Sequence, residues 1–155
     1  MKIVPLLFLF LWMNYSSVFS QENNFTNISK YEKRWALCHP FVLRKTINTT
    51  KYVIKITSNK NLYLVLDSFS NGGKLDAFRH IFWMACLAKK IGAKKALKLG
   101  IAHEKANYQQ YVNGSFEDGN LPDYASSKMD SLNNLIGANI GAIWQIGRAS
   151  CRERV

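Results

Sequence analysis

From Leu75 to Ile143 the apolar residues recur every three or four positions, and glycine-rich punctuation cuts that pattern into three lengths. Leu75 to Ile91 carries Phe78, Ile81, Phe82, Ala85, Ala88 and Ile91 at helical spacing, and Gly92 is placed to supply a left-handed C-cap. A second helix, Ala93 to about Tyr111, sets Leu97, Ile101, Glu104, Tyr108 and Tyr111 on one stripe. A third begins near Ser127, with Met129, Leu132, Ile136, Ile140 and Ile143 as its expected buried ridge. Gly137 and Gly141, one turn apart, would let a neighbouring helix come close. The segment Val112 to Tyr124, rich in Gly, Asn, Asp and Pro, reads as a loop long enough to act as a lid or rim. Such a pattern restricts the chain to a mainly α class, a compact multi-helix domain.

Upstream, Trp35, Leu37, Phe41, Val42, Ile47, Val53, Ile54 and Ile56 fit a helix broken near His39-Pro40, because proline disfavours helix at the residue before it. Asn61 to Leu66 is β-prone by composition, which allows one short strand near residues 61–66. Ser68 to Gly73 is a turn ending in Asn71-Gly72-Gly73.

Residues 1–20 have the layout of a secretory signal peptide: Lys2, an apolar Ile3 to Met13, then a polar stretch with small residues Val18 and Ser20 before a cut at Gln21. The apolar run is shorter than the roughly 20 residues a bilayer span needs. The expectation is an exported protein, periplasmic or extracellular, with no transmembrane segment in the mature chain. Residues 21–30 read as a flexible mature N-terminus and residues 31–145 as one helical domain. The string Ile146 to Val155 resembles the conceptual translation of a short-read library adapter, so the natural chain is expected to be interrupted near Gln145. With Cys151 set aside in that tail, Cys38 and Cys86 fit one disulfide and a pair of buried thiols equally well.

The net charge is +11, and the chain stays basic without Lys2 and the tail. That favours an anionic substrate or surface, with nucleic acid left open as one such partner. Lys89, Lys90, Lys94, Lys95 and Lys98 cluster near the first helix junction without interleaved aromatics, as a solvated helix face would.

Three polar clusters interrupt the apolar pattern: Asp76-Ala77-Phe78-Arg79-His80, Ala102-His103-Glu104 and Met129-Asp130-Ser131-Leu132-Asn133-Asn134. Ionisable groups enter packing faces rarely, unless they pair with one another or do chemistry. Asp76, His80 and Trp83 share a helix face, and an Asp one turn from a His can orient an imidazole or ligate a metal. Asp76 also suits the positive end of the helix dipole. Glu104 falls on an apolar stripe, where burial raises a carboxyl pKa toward general acid/base use, or where Arg79 would neutralise it. His103 points about 100° from Glu104 on an ideal helix, so the two are not expected to grip one small ion. Asn107 stands where an HExxH motif needs its second histidine, which excludes a zinc-protease signature. Ser127 and Asp130 fit an acidic capping box, and Asn133 and Asn134 are poor mid-helix residues that bind a ligand or tie helices together.

The order Asp-Ala-Phe-Arg-His-x-x-Trp, Ala-His-Glu, Met-Asp-x-x-Asn-Asn-x-x-Gly resembles a bacterial family catalogued as a domain of unknown function (DUF6973), from about Trp35 through Ile140 and including His39-Pro40. Members occur as secreted proteins and as modules of toxin-like exported proteins. The resemblance carries over Asp76, Arg79, His80, Trp83, His103, Glu104, Met129, Asp130, Asn133, Asn134 and Gly137, but no activity. The expected function is a small hydrolase or lyase using His80, Glu104 and Asp130 by general acid/base or metal-assisted chemistry. Asp76, Arg79, Trp83, His103, Asn133 and Asn134 would bind or orient, with a divalent metal as the one cofactor the donors would suit. The alternative is a non-catalytic binding module whose polar network holds the helices in register.

Overall fold

The computed structural model describes residues 28–69, 71–114 and 124–152, with side chains described as far as Gln145. The expected signal peptide and most of the expected flexible N-terminus and interhelix loop lie outside the described residues. Six helices form among them: α1 (Lys30–Cys38), α2 (Pro40–Thr57), α3 (Lys60–Val65), α4 (Lys74–Ile91), α5 (Ala93–Val112) and α6 (Tyr124–Arg152). The class is mainly α, as the periodicity dictates.

Local chemistry sets the boundaries. Ser29 and Glu32 close a reciprocal capping box at the start of α1, and Pro40 occupies the first turn of α2, where its missing N–H costs nothing. Asn59 caps α3 by accepting from the Asn61 N–H, so the segment near residues 61–66 is a helix and the strand allowed by composition does not form. Its β-branched and aromatic content is overridden by that cap. At α4 the N-cap residue is Gly73, which has no side chain to offer. Asp67 does the work instead, accepting from the Phe69, Lys74 and Leu75 N–H groups at 3.2, 2.7 and 3.2 Å. Gly92 joins α4 to α5 at φ +91°, a conformation side-chain-bearing residues rarely adopt.

α4 is the central element, packed on α6, α2 and α5, while α1 lies on α5. The apolar core joins Trp35, Met84, Leu87, Ala88, Ile91, Ala96, Leu99, Ala102 and Ala138. The Trp35 indole N–H donates to the Lys95 carbonyl at 3.1 Å, so its ring is buried with its polar atom satisfied. Cys38 is an exposed free thiol and Cys86 a half-buried one, so neither the disulfide nor the pair of buried thiols is what the structure holds.

Two expected faces are corrected. Leu132, Ile136, Ile140 and Ile143 of α6 are exposed, and the buried face is Ser126, Asp130, Asn133, Asn134, Gly137, Ala138 and Gly141. On α5, Ile101, Tyr108 and Tyr111 are exposed while Ala96, Leu99, Gly100, Glu104 and Asn107 are buried. The reason is close approach. A Cβ on Gly137 would strike the Ile81 carbonyl oxygen of α4, and one on Gly141 the Ala85 carbonyl oxygen. Helices this close admit only small side chains at the seam, and the polar residues flanking it pair across it.

Gly137→Ala gains helix propensity of up to about 1 kcal/mol but must push α6 off α4, an overpacking cost of about 1–3 kcal/mol. The expected net is a lower melting temperature by calorimetry, and an unchanged or higher one would contradict the tight seam.

A second expectation concerns acid. Desolvation pushes the Asp67 carboxyl up, but the Lys74, Leu75 and Phe69 N–H groups together outweigh it and hold the pKa below 3.8. A depressed folded pKa means the cap contributes fully above the unfolded value and is lost as pH falls through the folded one. The stability gap between wild type and Asp67→Ala should therefore be constant near neutral pH and shrink below about pH 3.8 in pH-resolved melts. A gap independent of pH would refute the charged cap.

Candidate functional site

His80 sits at the middle of the seam, 6 % exposed, with polar groups from three helices around its ring. On its Nδ1 side, Asn134 Oδ1 of α6 lies at 3.1 Å and Glu104 Oε1 of α5 at 3.7 Å. On its Nε2 side, Asp76 Oδ1 of α4 and Asp130 Oδ1 of α6 both lie at 3.6 Å. The predicted catalytic trio of His80, Glu104 and Asp130 is thus brought together, and all three are buried.

Asn134 decides the proton. Its amide Nδ2 donates to Glu104 Oε1 at 2.8 Å, so its Oδ1 must face the imidazole and accept from the His80 Nδ1–H. Nε2 then carries the lone pair and turns it toward two carboxylates. Burial, and next the nearby His103, pull the His80 pKa down to about 4 against the opposing effects of Asp76 and Asn134. Burial raises the Glu104 pKa above 4.5, with Asp76 adding to it while His103, Asn134 and the nearby Asn107 oppose. Glu104 Oε2 is buried with no hydrogen-bond partner, and so is Asn133 Nδ2.

The orienting residues fall around this centre. Arg79 pairs with Asp76 through Oδ1, while the Gly72 N–H donates to Oδ2 at 2.9 Å. Asp76 therefore takes the Arg79 cation that the sequence offered to Glu104, and it also caps the start of α4. Trp83 donates from its indole N–H to Thr50 Oγ1 at 2.9 Å and meets the His103 ring edge-on at 5.4 Å between centroids. The His103 and His80 rings are 6.0 Å apart. Donor atoms of His80, His103 and Glu104 all come within 4.8 Å of one another, as do those of Asp76, His80 and Asp130. His103 and Glu104 thus converge on His80 despite their separation on the helix. Asp130 lies inside α6, which begins at Tyr124, so Ser127 is not a cap and the carboxylate stands 3.6 Å from His80 Nε2 instead. Arg79 and His103, with side chains 30 % and 31 % exposed, form the edge open to solvent.

Sequence reasoning missed Glu32. Its Oε1 accepts from His103 Nδ1 at 3.0 Å while its other oxygen takes the Ser29 N–H at 3.0 Å. Burial pushes this carboxyl up, yet His103 and Ser29 outweigh it and bring the pKa down to about 2. The Ser-Lys-Tyr-Glu spacing at 29–32 carried a capping signal that would have placed Glu32 at a helix start, but nothing local points it at α5. Asn107, buried one turn beyond Glu104, is the second omission.

A mainly α domain with a buried histidine ringed by carboxylates is the class this architecture defines. The chain belongs to the family described as a domain of unknown function (DUF6973), whose model matches residues 33–152. No curated protein and no solved structure is significantly similar to it.

Asn134 is the joint of the cluster. Asn134→Leu would strand the His80 N–H and the Glu104 oxygen, each costing about 1–3 kcal/mol. Urea titration should show a stability loss of about 2–6 kcal/mol at unchanged slope. A loss below about 1 kcal/mol would show that the bridge does not hold the helices.

Proposed function

We propose that the domain is a small exported hydrolase or lyase, working on an anionic envelope or extracellular substrate from the His80 cluster. The observation that carries this reading is Glu104 Oε2, a buried carboxylate oxygen with no hydrogen-bond partner beside a neutral imidazole. A network kept only for stability satisfies its buried atoms, since each orphan costs about 1–3 kcal/mol. A site prepared for a ligand leaves them waiting.

In this reading Glu104, its pKa raised by burial, serves as general acid, and Asp130 beside His80 Nε2 serves as general base. Asp76, His103 and Asn134 orient the ring, and Arg79 at the solvent edge meets the substrate anion. The chain stays basic without Lys2 and the tail, which favours such a substrate by long-range attraction. The competing reading, a binding module with a structural polar network, draws support from the near-complete burial of His80 and from Asn134 bridging three helices.

Conservative neutralisation separates the two. Glu104→Gln and Asp130→Asn keep shape while removing crowded buried charge, so a functional site should melt at or above the wild-type temperature, with turnover down about 10²-fold or more. Loss of several kcal/mol in both variants would instead identify the network as scaffold and withdraw the enzyme reading.

A further inference from the structure

We propose that the stretch from Lys33 to Leu66, running through α1, α2 and α3, is a docking surface for an anionic lipid bilayer. It carries seven lysine or arginine residues and no aspartate or glutamate. The acids that bound it are already engaged. Glu32 accepts from His103 at 3.0 Å, and Asp67 accepts three N–H groups at the start of α4. Neither is left to neutralise the run, so its positive field stays open to an outside anion. The surface includes none of the His80 cluster, and its test is independent of the enzyme reading.

α2 shows how those charges are presented. Its buried stripe is Thr46, Thr49, Val53 and Thr57. Two of these threonines satisfy their hydroxyls on their own helix, Thr46 at the Val42 carbonyl and Thr57 at the Val53 carbonyl. At about 100° per residue the opposite side carries Arg44, Lys51 and Lys55, all exposed, along a helix about 27 Å long. Apolar groups stand at both ends of this row rather than in the core. Phe41, in the first turn of α2, is 98 % exposed, and Leu37, near the end of α1, is 81 % exposed. Beyond the far end of α2, α3 buries none of its residues, although Leu64 and Val65 make it apolar, and both are exposed. A helix of that composition with no buried residue has its apolar surface left for a partner.

A row of cations with apolar groups at its ends fits a bilayer interface. Headgroup phosphates take the charges, and the acyl boundary takes the apolar side chains. Nucleic acid would use the cations alone, because Leu37, Leu64 and Val65 have no ring to stack on a base. A second copy of this chain would bring the same cations face to face. No described helix is long and apolar enough to cross a membrane, so the helices lie on the surface. The outer face of α6, where Leu132, Ile136 and Ile143 are also exposed, has no charged residue from Ser131 to Gln145. It therefore lacks the half of the arrangement that would meet a phosphate.

Cys38, exposed at the corner between Leu37 and Phe41, gives a local probe. In the full chain carrying Cys86→Ser and Cys151→Ser, a nitrobenzoxadiazole label on Cys38 reports burial at that corner, whatever residues 1–20 do with lipid. Vesicles of three parts phosphatidylcholine to one part phosphatidylglycerol should shift its emission to the blue and brighten it. Pure phosphatidylcholine vesicles should leave it unmoved. The lipid concentration at half-effect should rise at least about 10-fold in the double variant Arg44→Glu, Lys45→Glu. Phe41→Ser should raise it about 10- to 100-fold. Ile136→Asp on α6 should change nothing, and circular dichroism checks that each variant folds. No shift, an equal shift with neutral vesicles, or a shift that survives both the charge reversal and Phe41→Ser overturns the surface. So does loss through Ile136→Asp, which moves the docking face to α6. A chain that Phe41→Ser converts from dimer to monomer in light scattering makes the occupant a second copy and overturns it too. The same holds for a single-stranded oligonucleotide bound through Arg44 and Lys45 by a chain that ignores the vesicles.

Discussion

The close approach of α4 and α6 at Gly137 and Gly141 governs the rest of the molecule. With backbone carbonyls of one helix against the Cα atoms of the other, no large side chain fits between them. α6 therefore turns its small and polar face inward and leaves Leu132, Leu135, Ile136 and Ile143 outside. Burial on that face comes from packing density and hydrogen bonds more than from apolar area. His80 faces the same seam, and only an amide or a carboxylate from α6 can meet it there without leaving an unpaired group.

Asn134 turns that geometry into chemistry. One amide reads both neighbours at once, accepting from His80 and donating to Glu104, so the tautomer of the histidine and the orientation of the acid are set together. Burial keeps the imidazole neutral, Asn134 directs its lone pair at carboxylates, and the acid is left with a second oxygen over. A second arm reaches the same place from α1, where Glu32 both caps its own helix and orients His103. The stability of a helix start and the geometry of the cluster are in this way coupled through one side chain.

The family match places this arrangement in a domain of unknown function, so the site itself must supply the functional argument. Convergence of His80, Glu104, Asp130, Asp76 and His103 from three helices is a stronger pointer than any one motif, because each pair alone has an ordinary structural explanation. Among the described residues no helix is long and apolar enough to cross a membrane.

The sequence by itself determined the helical class, the breaks at Pro40, Gly73 and Gly92, and most of the polar residues that meet at the seam, though not Glu32 or Asn107. Those are local properties: periodicity, proline and glycine stereochemistry, and the cost of placing a charge on a packing face. It also announced the close helix contact, since two glycines one turn apart have few other uses. The tertiary structure alone decided which face of α5 and α6 is buried, because apolar counting ranks Ile136 above Asn133 and cannot weigh a backbone contact or a cross-helix hydrogen bond. It alone brought His103 and Glu104 together, joined Glu32 to them across 71 residues, and gave Arg79 to Asp76. Such pairings depend on how helices sit against one another, and that is fixed by the sum of all contacts rather than by any segment.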